Sequence, residues 1–534
     1  MVLGATAAPV SAADPSPNDP VFAEGGVMAG STNGMSFAPD GSLWVANVLG
    51  STLTQIDPDS GEVLSRLTAA QGVLFPDDVV VGPDGTIYWT DIALGQVNKI
   101  TADGQFVPLL EAFELNSANP LTLSDDGRLF AAGCYGGPPA NNSFVEIDPV
   151  NGGIINTLRA DIPGCASNGM SWNDGSLYAP QPFTGEILRI DPDTGDITVA
   201  TSGYAVPIGT AVDSNGNLYA LAQGTTEVVR VDMSNLDIEN NRETIAEIPI
   251  GWADNIAISA DDRIFLSSAS DAAIVEVLPG GELRTVVSGQ FQLAGGVGVI
   301  GQTVYTAHIA GVVGFDRRTG EQSSIFRAAF GLTDYPATTS FITRGRNLVL
   351  MSTLGNEIVV WNPRTNTSLV RSPIAGPIDA QTFRGDLLVS QQTGEISRLA
   401  ANLEPIDVVT TMPGVTGLAS KGGDVYAANQ IDGTIVRIIE RGQVLDTPEV
   451  VYSDLAAPEG IDIHGNTMFV VEAGTQSLTS IDMRTDKRAT VATDLGLQLP
   501  TIFPFGWFNN VEVVWNDIYV NGDRANVIWE FSRN

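Results

Sequence analysis

Cysteine, histidine and lysine are nearly missing from this chain of 534 residues, which holds two Cys, two His and, among 26 cations, only Lys99, Lys421 and Lys487. Two histidines exclude a multi-His copper, zinc or haem centre. There is no Cys-x-x-Cys, His-Glu-x-x-His, Gly-x-Ser-x-Gly or phosphate-loop motif. Dithiol redox, zincin, nucleophile-elbow and P-loop chemistries are therefore excluded. Positive charge is scarce, at 26 Lys+Arg against 62 Asp+Glu for a net charge of −36. Nucleic acid is thus no partner, because nothing basic is available to displace its counterions. An anionic membrane surface is excluded by the same shortage. No run of 18 apolar residues exists to cross a bilayer as a helix, and helical periodicity is absent throughout.

What is present is ample apolar material, at 43% of residues, punctuated by 57 Gly and 30 Pro. That suffices for a large core, and the length predicts two domains. The acid-rich, Lys-poor composition suits a protein in salty or extracellular surroundings. Residues 1–20 read as the remnant of an export signal. A small-x-small site, Val10-Ser11-Ala12, precedes the polar Asp14-Pro15-Ser16-Pro17, although a positive leading region is missing. The expectation is a secreted or periplasmic protein.

Self-comparison shows one unit repeated twelve times. Asn33-Gly-Met-Ser-Phe-Ala-Pro-Asp-Gly-Ser-Leu-Trp-Val-Ala-Asn47 returns as Asp77-Asp-Val-Val-Val-Gly-Pro-Asp-Gly-Thr-Ile-Tyr-Trp-Thr-Asp91 and as Asn168-Gly-Met-Ser-Trp-Asn-Asp-Gly-Ser-Leu-Tyr. Other copies start at Asn119, Ile208, Asp254, Gly295, Thr339, Asp379, Thr416, Glu459 and Asn509, at steps of 37 to 50 residues. That period belongs to β-propeller blades of four strands. In each copy an alternating apolar run, a Pro-Asp-Gly type turn and a second run make a hairpin. The fold class predicted is all-β, two tandem six-bladed β-propellers, with domains at 21–288 and 289–534. The last copy lacks a fourth strand, and Val21-Phe-Ala-Glu24 precedes the first copy as an extra one. Self-closure of each ring is the preferred reading, with the N-terminal strand closing the second ring as the alternative.

In such blades the first residues of the inner strands converge on one axis. In the first ring these are Asn33, Asp77, Asn119, Asn168, Ile208 and Asp254, five of them oxygen-bearing. A hard cation such as Ca²⁺ takes six to eight oxygens from carboxylates, amides and water. The alternative is a hydrated polar tunnel of ordinary turn formers. Second-strand ends place Asn47, Asp91 and Gln181 at the substrate rim. In the second ring the candidates are His308, Asp379, Glu459 and Glu472. Glu459, Glu472 and His308 form a possible acid/base group, a pattern similar to that of the streptogramin lyases, against an alternative of hydrated loop side chains.

The segments Asn168-Gly-Met-Ser-Trp-Asn-Asp-Gly-Ser-Leu-Tyr and Ala211-Val-Asp-Ser-Asn-Gly-Asn-Leu-Tyr resemble the senescence-marker-protein/gluconolactonase family, related to the paraoxonases and diisopropyl fluorophosphatase. The resemblance covers roughly residues 20–290. It implies a six-bladed propeller with an axial divalent cation, usually Ca²⁺, that hydrolyses lactones, esters or organophosphates. Asn119 and Asn168 match the family's two metal-binding Asn positions. Asn33 stands where the family has a ligand Glu, and Ile208 where it has its catalytic Asp. The carboxylates left for metal and base are Asp254 first and Asp77 second. Cys134 and Cys165 are expected to pair as a disulfide beside the site in an exported protein, the alternative being two separate thiols. Three functions compete: a Ca²⁺-dependent lactone or ester hydrolase acting on a small molecule as a monomer, a non-catalytic binding or scaffold protein, and a lyase or cyclising enzyme using the second ring or the cleft between rings.

Overall fold

The computed structural model describes residues 21–533, except 27, 29, 134–142, 160–166, 236, 290, 292–293, 309–310, 328–337, 354 and 498–507. The export remnant at 1–20 and the Cys134–Cys165 pair lie outside the described residues. Twelve four-stranded antiparallel sheets hold all the strands, and among the described residues the one helical element is a single 3-10 turn, Ala69–Gln71. No described helix is long and apolar enough to cross a membrane.

The first sheet shows how sequence makes each of these. Thr32–Phe37, Leu43–Asn47, Thr52–Ile56 and Val63–Leu67 run as a meander, with Met35 opposite Val45 and Phe37 opposite Leu43. The Pro39-Asp40-Gly41 turn fixes that register. Gly41 sits at φ 85, where a side chain would be strained, and the Asp40 carboxylate accepts the Ser42 N–H at 3.0 Å. The second strand is buried on both faces, Leu43 through Asn47, whereas the outermost strand is largely exposed. The core accordingly lies between neighbouring sheets: Trp44, Ala46 and Leu53 of the first pack against Val79, Ile87 and Trp89 of the second. Trp89 is wholly buried, and truncating such a side chain costs about 3–5 kcal/mol.

The chain divides into two compact units, Gly26–Gln290 and Phe291–Asn534, the latter joined by the segment ending at Gly25. In the first unit the inner strands are Thr32–Phe37, Pro76–Val81, Ala118–Leu123, Ser171–Asn173, Pro207–Val212 and Ala253–Ile258. Each lies against the next, and the last lies against the first. The second unit repeats this with Gly295–Ile300, Ser340–Arg344, Pro377–Phe383, Val415–Lys421, Pro458–His464 and Val511–Val514. These are β-propeller blades, meanders whose first strand is innermost.

The preferred self-closure is corrected. Val21–Glu24 pairs antiparallel with Val527–Ser532, Val21 opposite Trp529 and Glu24 opposite Val527, and so completes the twelfth sheet. Leu283–Val287 is the outer strand of the sixth sheet, not a leading strand of the seventh. The cause is the missing fourth strand of the last sheet, whose open edge offers unpaired backbone groups. Phe22 adds edge-on ring contacts with Tyr519 at 5.2 Å and Phe315 at 6.4 Å.

Candidate functional site

The inner strands of the first unit begin with a register shift: between Thr32 and Met35, Pro76 and Val79, Ala118 and Leu121, and Ala253 and Ile256. Such bulges take residues out of the ladder and re-aim their side chains. The residues so displaced include Asn33, Asp77, Asn119 and Asp254. Asn168 stands just ahead of Ser171–Asn173, where Gly169 bridges in parallel to Gly209. All five are nine-tenths buried or more.

The structure couples several of them directly. Asn33 Nδ2 donates to Asp77 Oδ1 at 3.0 Å. Burial first, then the charges of Asp254, Asp78 and Asp91, hold the Asp77 carboxyl well above the usual carboxylate range. Asp254 is pushed up to about 7 by burial and then by Asp78. Within this set of five, four buried oxygens have no hydrogen-bond partner in the protein, Asn33 Oδ1, Asp77 Oδ2, Asn168 Oδ1 and Asp254 Oδ2, as is also true of Asn47 Oδ1 at the rim. Leaving such groups unmatched is costly, and amide and carboxylate oxygens are the ligands that a hard cation takes together with water. Asn33, Asp77, Asn168 and Asp254 would hold it. Only two of these are carboxylates, and among the described residues no three His, Cys, Asp or Glu side chains gather as metal ligands. The donor set therefore fits a mixed amide–carboxylate site, not an all-carboxylate one.

Ile208 brings no oxygen. It is buried among Leu221, Val228 and Ile256 in the apolar core between two sheets. Sequence reasoning missed Asp78, although the tandem Asp77-Asp78 was visible. Its backbone N–H donates to Thr90 Oγ1 at 2.9 Å, and its carboxylate accepts from Val79 N and from Leu121 N of the next inner strand, each at 2.9 Å. Asp78 is a latch between sheets, pushed up to about 7 by burial.

The rim positions are occupied with local structure. Asn47 Nδ2 donates to Val45 O, Thr52 O and Thr54 Oγ1. Asp91 accepts from Phe75 N at 3.1 Å and Leu94 N at 2.9 Å, fastening the approach to its inner strand. Gln181 Nε2 donates to Pro180 O at 3.3 Å.

In the second unit one alignment shifts by a residue. Asp379 N donates to Ser390 Oγ at 3.2 Å, and Asp379 Oδ2 accepts Leu418 N of the next inner strand at 2.8 Å. Those are the bonds of Asp78, so Asp379 is the equivalent latch and Ile378 holds the first inner position. Glu459 accepts from Gln430 Nε2 at 3.0 Å and Asn509 N at 3.1 Å, and is pushed up to about 8 by burial and Asp523. Glu472 accepts from Ala456 N at 2.7 Å and from Thr479 Oγ1, repeating the role of Asp91. His308 ends Thr303–His308, fully buried, with its backbone opposite Gly311. The two glutamates thus engage different partners rather than each other.

Comparison with known proteins adds three findings. A repeat of unknown function (DUF6923) matches residues 93–249, within the first unit. A gluconolactonase of Zymomonas mobilis is 27% identical over 200 residues, 36% of this chain and 49% of that protein, so the chain spans about half the length of this relative. Among solved structures, virginiamycin B lyase from Staphylococcus aureus is similar at 15% identity, covering 52% of this chain and 91% of its own, with a TM-score of 0.37. PorZ, a surface component of the type-IX secretion system of Porphyromonas gingivalis, is similar at 11% identity over 95% of this chain and 86% of its own, with a TM-score of 0.41.

Proposed function

We propose that the chain is a tandem of two six-bladed β-propellers, exported from the cytoplasm, whose first unit is a Ca²⁺-dependent hydrolase of a small lactone or ester. The cyclic contacts of six inner strands in each unit support the architecture. The observation that carries the function is the set of four buried, unpartnered oxygens on Asn33, Asp77, Asn168 and Asp254. The partial gluconolactonase likeness is consistent with the same chemistry. A bound Ca²⁺ supplies charge that polarises a carbonyl oxygen. Asp254 takes a proton from the attacking water and returns it to the leaving alkoxide. Asn33 orients Asp77 through its amide, and the second Asp77 oxygen, which has no protein partner, would be available to the cation. Burial of the cluster keeps bulk water from competing for these groups.

The test is turnover of a simple lactone and an aryl ester with Ca²⁺ and after chelation. Asp254→Asn should lower kcat at least about 100-fold, the usual weight of a positioned base. Unchanged turnover in that variant removes Asp254 from the role.

A second reading, a non-catalytic binding propeller, is favoured by one observation: Ile208 fills with apolar core the place where a catalytic carboxylate is expected. A Ca²⁺-dependent rise in Tm that disappears in Asn168→Ala, without any turnover by the native chain, selects this reading.

A further inference from the structure

Five of the six inner strands of the second unit border a cavity of about 220 Å³, separate from the first-unit cluster. Asp379, Asp462 and Glu512 line it from three different strands, together with Thr343, Gln381 and Asn510. No Lys, Arg or His contributes to the lining, and His464, two residues past Asp462, is the basic group whose charge reaches that carboxylate. Ala380, Leu418, Ile461 and Val511 also border the space. Each belongs to a core between sheets, so the surface presented to the cavity is mostly polar.

Backbone groups fix all three acids. Asp462 accepts Ile463 N at 2.7 Å and Val513 N at 2.8 Å. The Val299 N–H holds Glu512, and Leu418 N holds Asp379 Oδ2 at 2.8 Å. Asp379 is 2% exposed, and its Oδ1 has no hydrogen-bond partner. A carboxylate offers about four lone-pair sites, so each of the three keeps accepting capacity that these bonds leave over. Burial first and then the charge of Asp462 push Glu512 up to about 8, with Asp379 adding to the rise, so the three acids sense one another.

The size and the donor set narrow what would relieve this. The volume equals about seven waters at ~30 Å³ each, too large for a bare ion. Among the described residues no three His, Cys, Asp or Glu side chains come together to ligate one ion directly. A divalent cation that keeps its water shell meets both conditions. About six waters around a small ion fill most of the volume, and their polarised O–H groups donate to carboxylates spaced around the wall. Mg²⁺ sheds its water reluctantly, whereas Ca²⁺ takes about six to eight direct oxygen ligands. We propose that this cavity binds a hydrated Mg²⁺ ion through its water shell, with Asp379, Asp462 and Glu512 accepting from the coordinated waters. The site is separate from the hydrolase reading and stands or falls independently of it.

The experiment is scanning calorimetry of the full chain, first stripped with chelator, in Mg²⁺, Ca²⁺ or hexaamminecobalt(III). Ionic strength is matched throughout, which cancels the general attraction of cations to an acidic protein. Mg²⁺ at about 100 times its Kd should raise the second unit's Tm by roughly 5–10 °C, and Ca²⁺ at the same concentration should leave it in place. Hexaamminecobalt(III), whose ammonia ligands do not exchange, mimics the hydrated ion and should raise the same transition in competition with Mg²⁺. Glu512→Gln, which keeps shape and removes charge, should weaken Mg²⁺ binding at least about tenfold and leave the first unit's transition unchanged. Asn510→Asp adds a charge while keeping the acceptor for Val511 N, and should tighten binding. This variant decides the matter if Glu512→Gln does not fold. The proposal is overturned if Mg²⁺ gives no saturable shift, if Glu512→Gln binds it equally or Asn510→Asp no more tightly, if hexaamminecobalt(III) does not compete, or if Ca²⁺ produces an equal Glu512-dependent shift.

Discussion

The two units share one scaffold but differ in which side-chain oxygens their inner strands leave unsatisfied. In the first unit they sit at the first inner position, where Asn33, Asp77, Asn168 and Asp254 each keep an oxygen without a protein partner. In the second unit that position is Ile378 or Thr416, or is taken up as in Glu459, whose oxygens are held by Gln430 and Asn509. The unmatched carboxylate oxygen of its described inner strands is Asp379 Oδ1, one residue further along the strand than Ile378. Both units nevertheless retain the same latch, Asp78 in one and Asp379 in the other, each accepting a leucine N–H from the next inner strand. The lesson is that the bonds joining the sheets are kept while the chemistry of the axis is free to move.

The largest expected effect separates the units by closure. Deleting the chain through Gly25 removes Val21–Glu24, exposes the edge of Val527–Ser532 and strips Phe22 from its ring contacts. The second unit should lose at least about 4 kcal/mol, while the first keeps its own transition. Calorimetry with resolved transitions reads both, and an equal loss in the two units breaks the comparison. Next come the latches. Asp78→Ala and Asp379→Ala should each cost about 2–4 kcal/mol, because each strands a buried N–H. Chemical denaturation of the two variants should give similar losses in opposite units. Strongly unequal losses deny the equivalence.

The smallest effect per step is on pH. Burial raises the folded pKa of Asp78 and Asp254 to about 7, of Asp379 to about 7 and of Glu512 to about 8, all above their unfolded values. The folded chain therefore holds protons that the unfolded chain releases. The contribution of these four groups to stability is full below about pH 4 and falls as pH rises toward about 8, by about 1.4 kcal/mol per pH unit for each retained proton. Added Ca²⁺ should flatten this fall in the first unit and leave it in the second. Thermal melts from pH 5 to 8 with and without Ca²⁺ measure it, and equal flattening in both units contradicts the placement of the cation.

Much of the blade was legible because its signals are local. Pro39-Asp40-Gly41 builds a turn from adjacent residues, and Leu43-Trp44-Val45 announces a buried strand by its composition. The cluster was legible for a related reason: repeats put equivalent residues in equivalent places, so Asn33, Asp77, Asn168 and Asp254 could be aligned without coordinates. The same alignment failed at Asp379, where a one-residue offset changes which group faces the axis, and at Asn47, Asp91 and Glu472, whose local hydrogen bonds no spacing shows.

Sequence by itself determined the repeat, its all-β character and the kinds of side chain gathered at each inner position, since turns and two-residue alternation act over a few residues. Tertiary structure decided which strand completes the twelfth sheet and which acids act as latches. Those outcomes depend on pairings such as Val21 with Trp529 and on burial created by other sheets, and no short stretch of chain contains them.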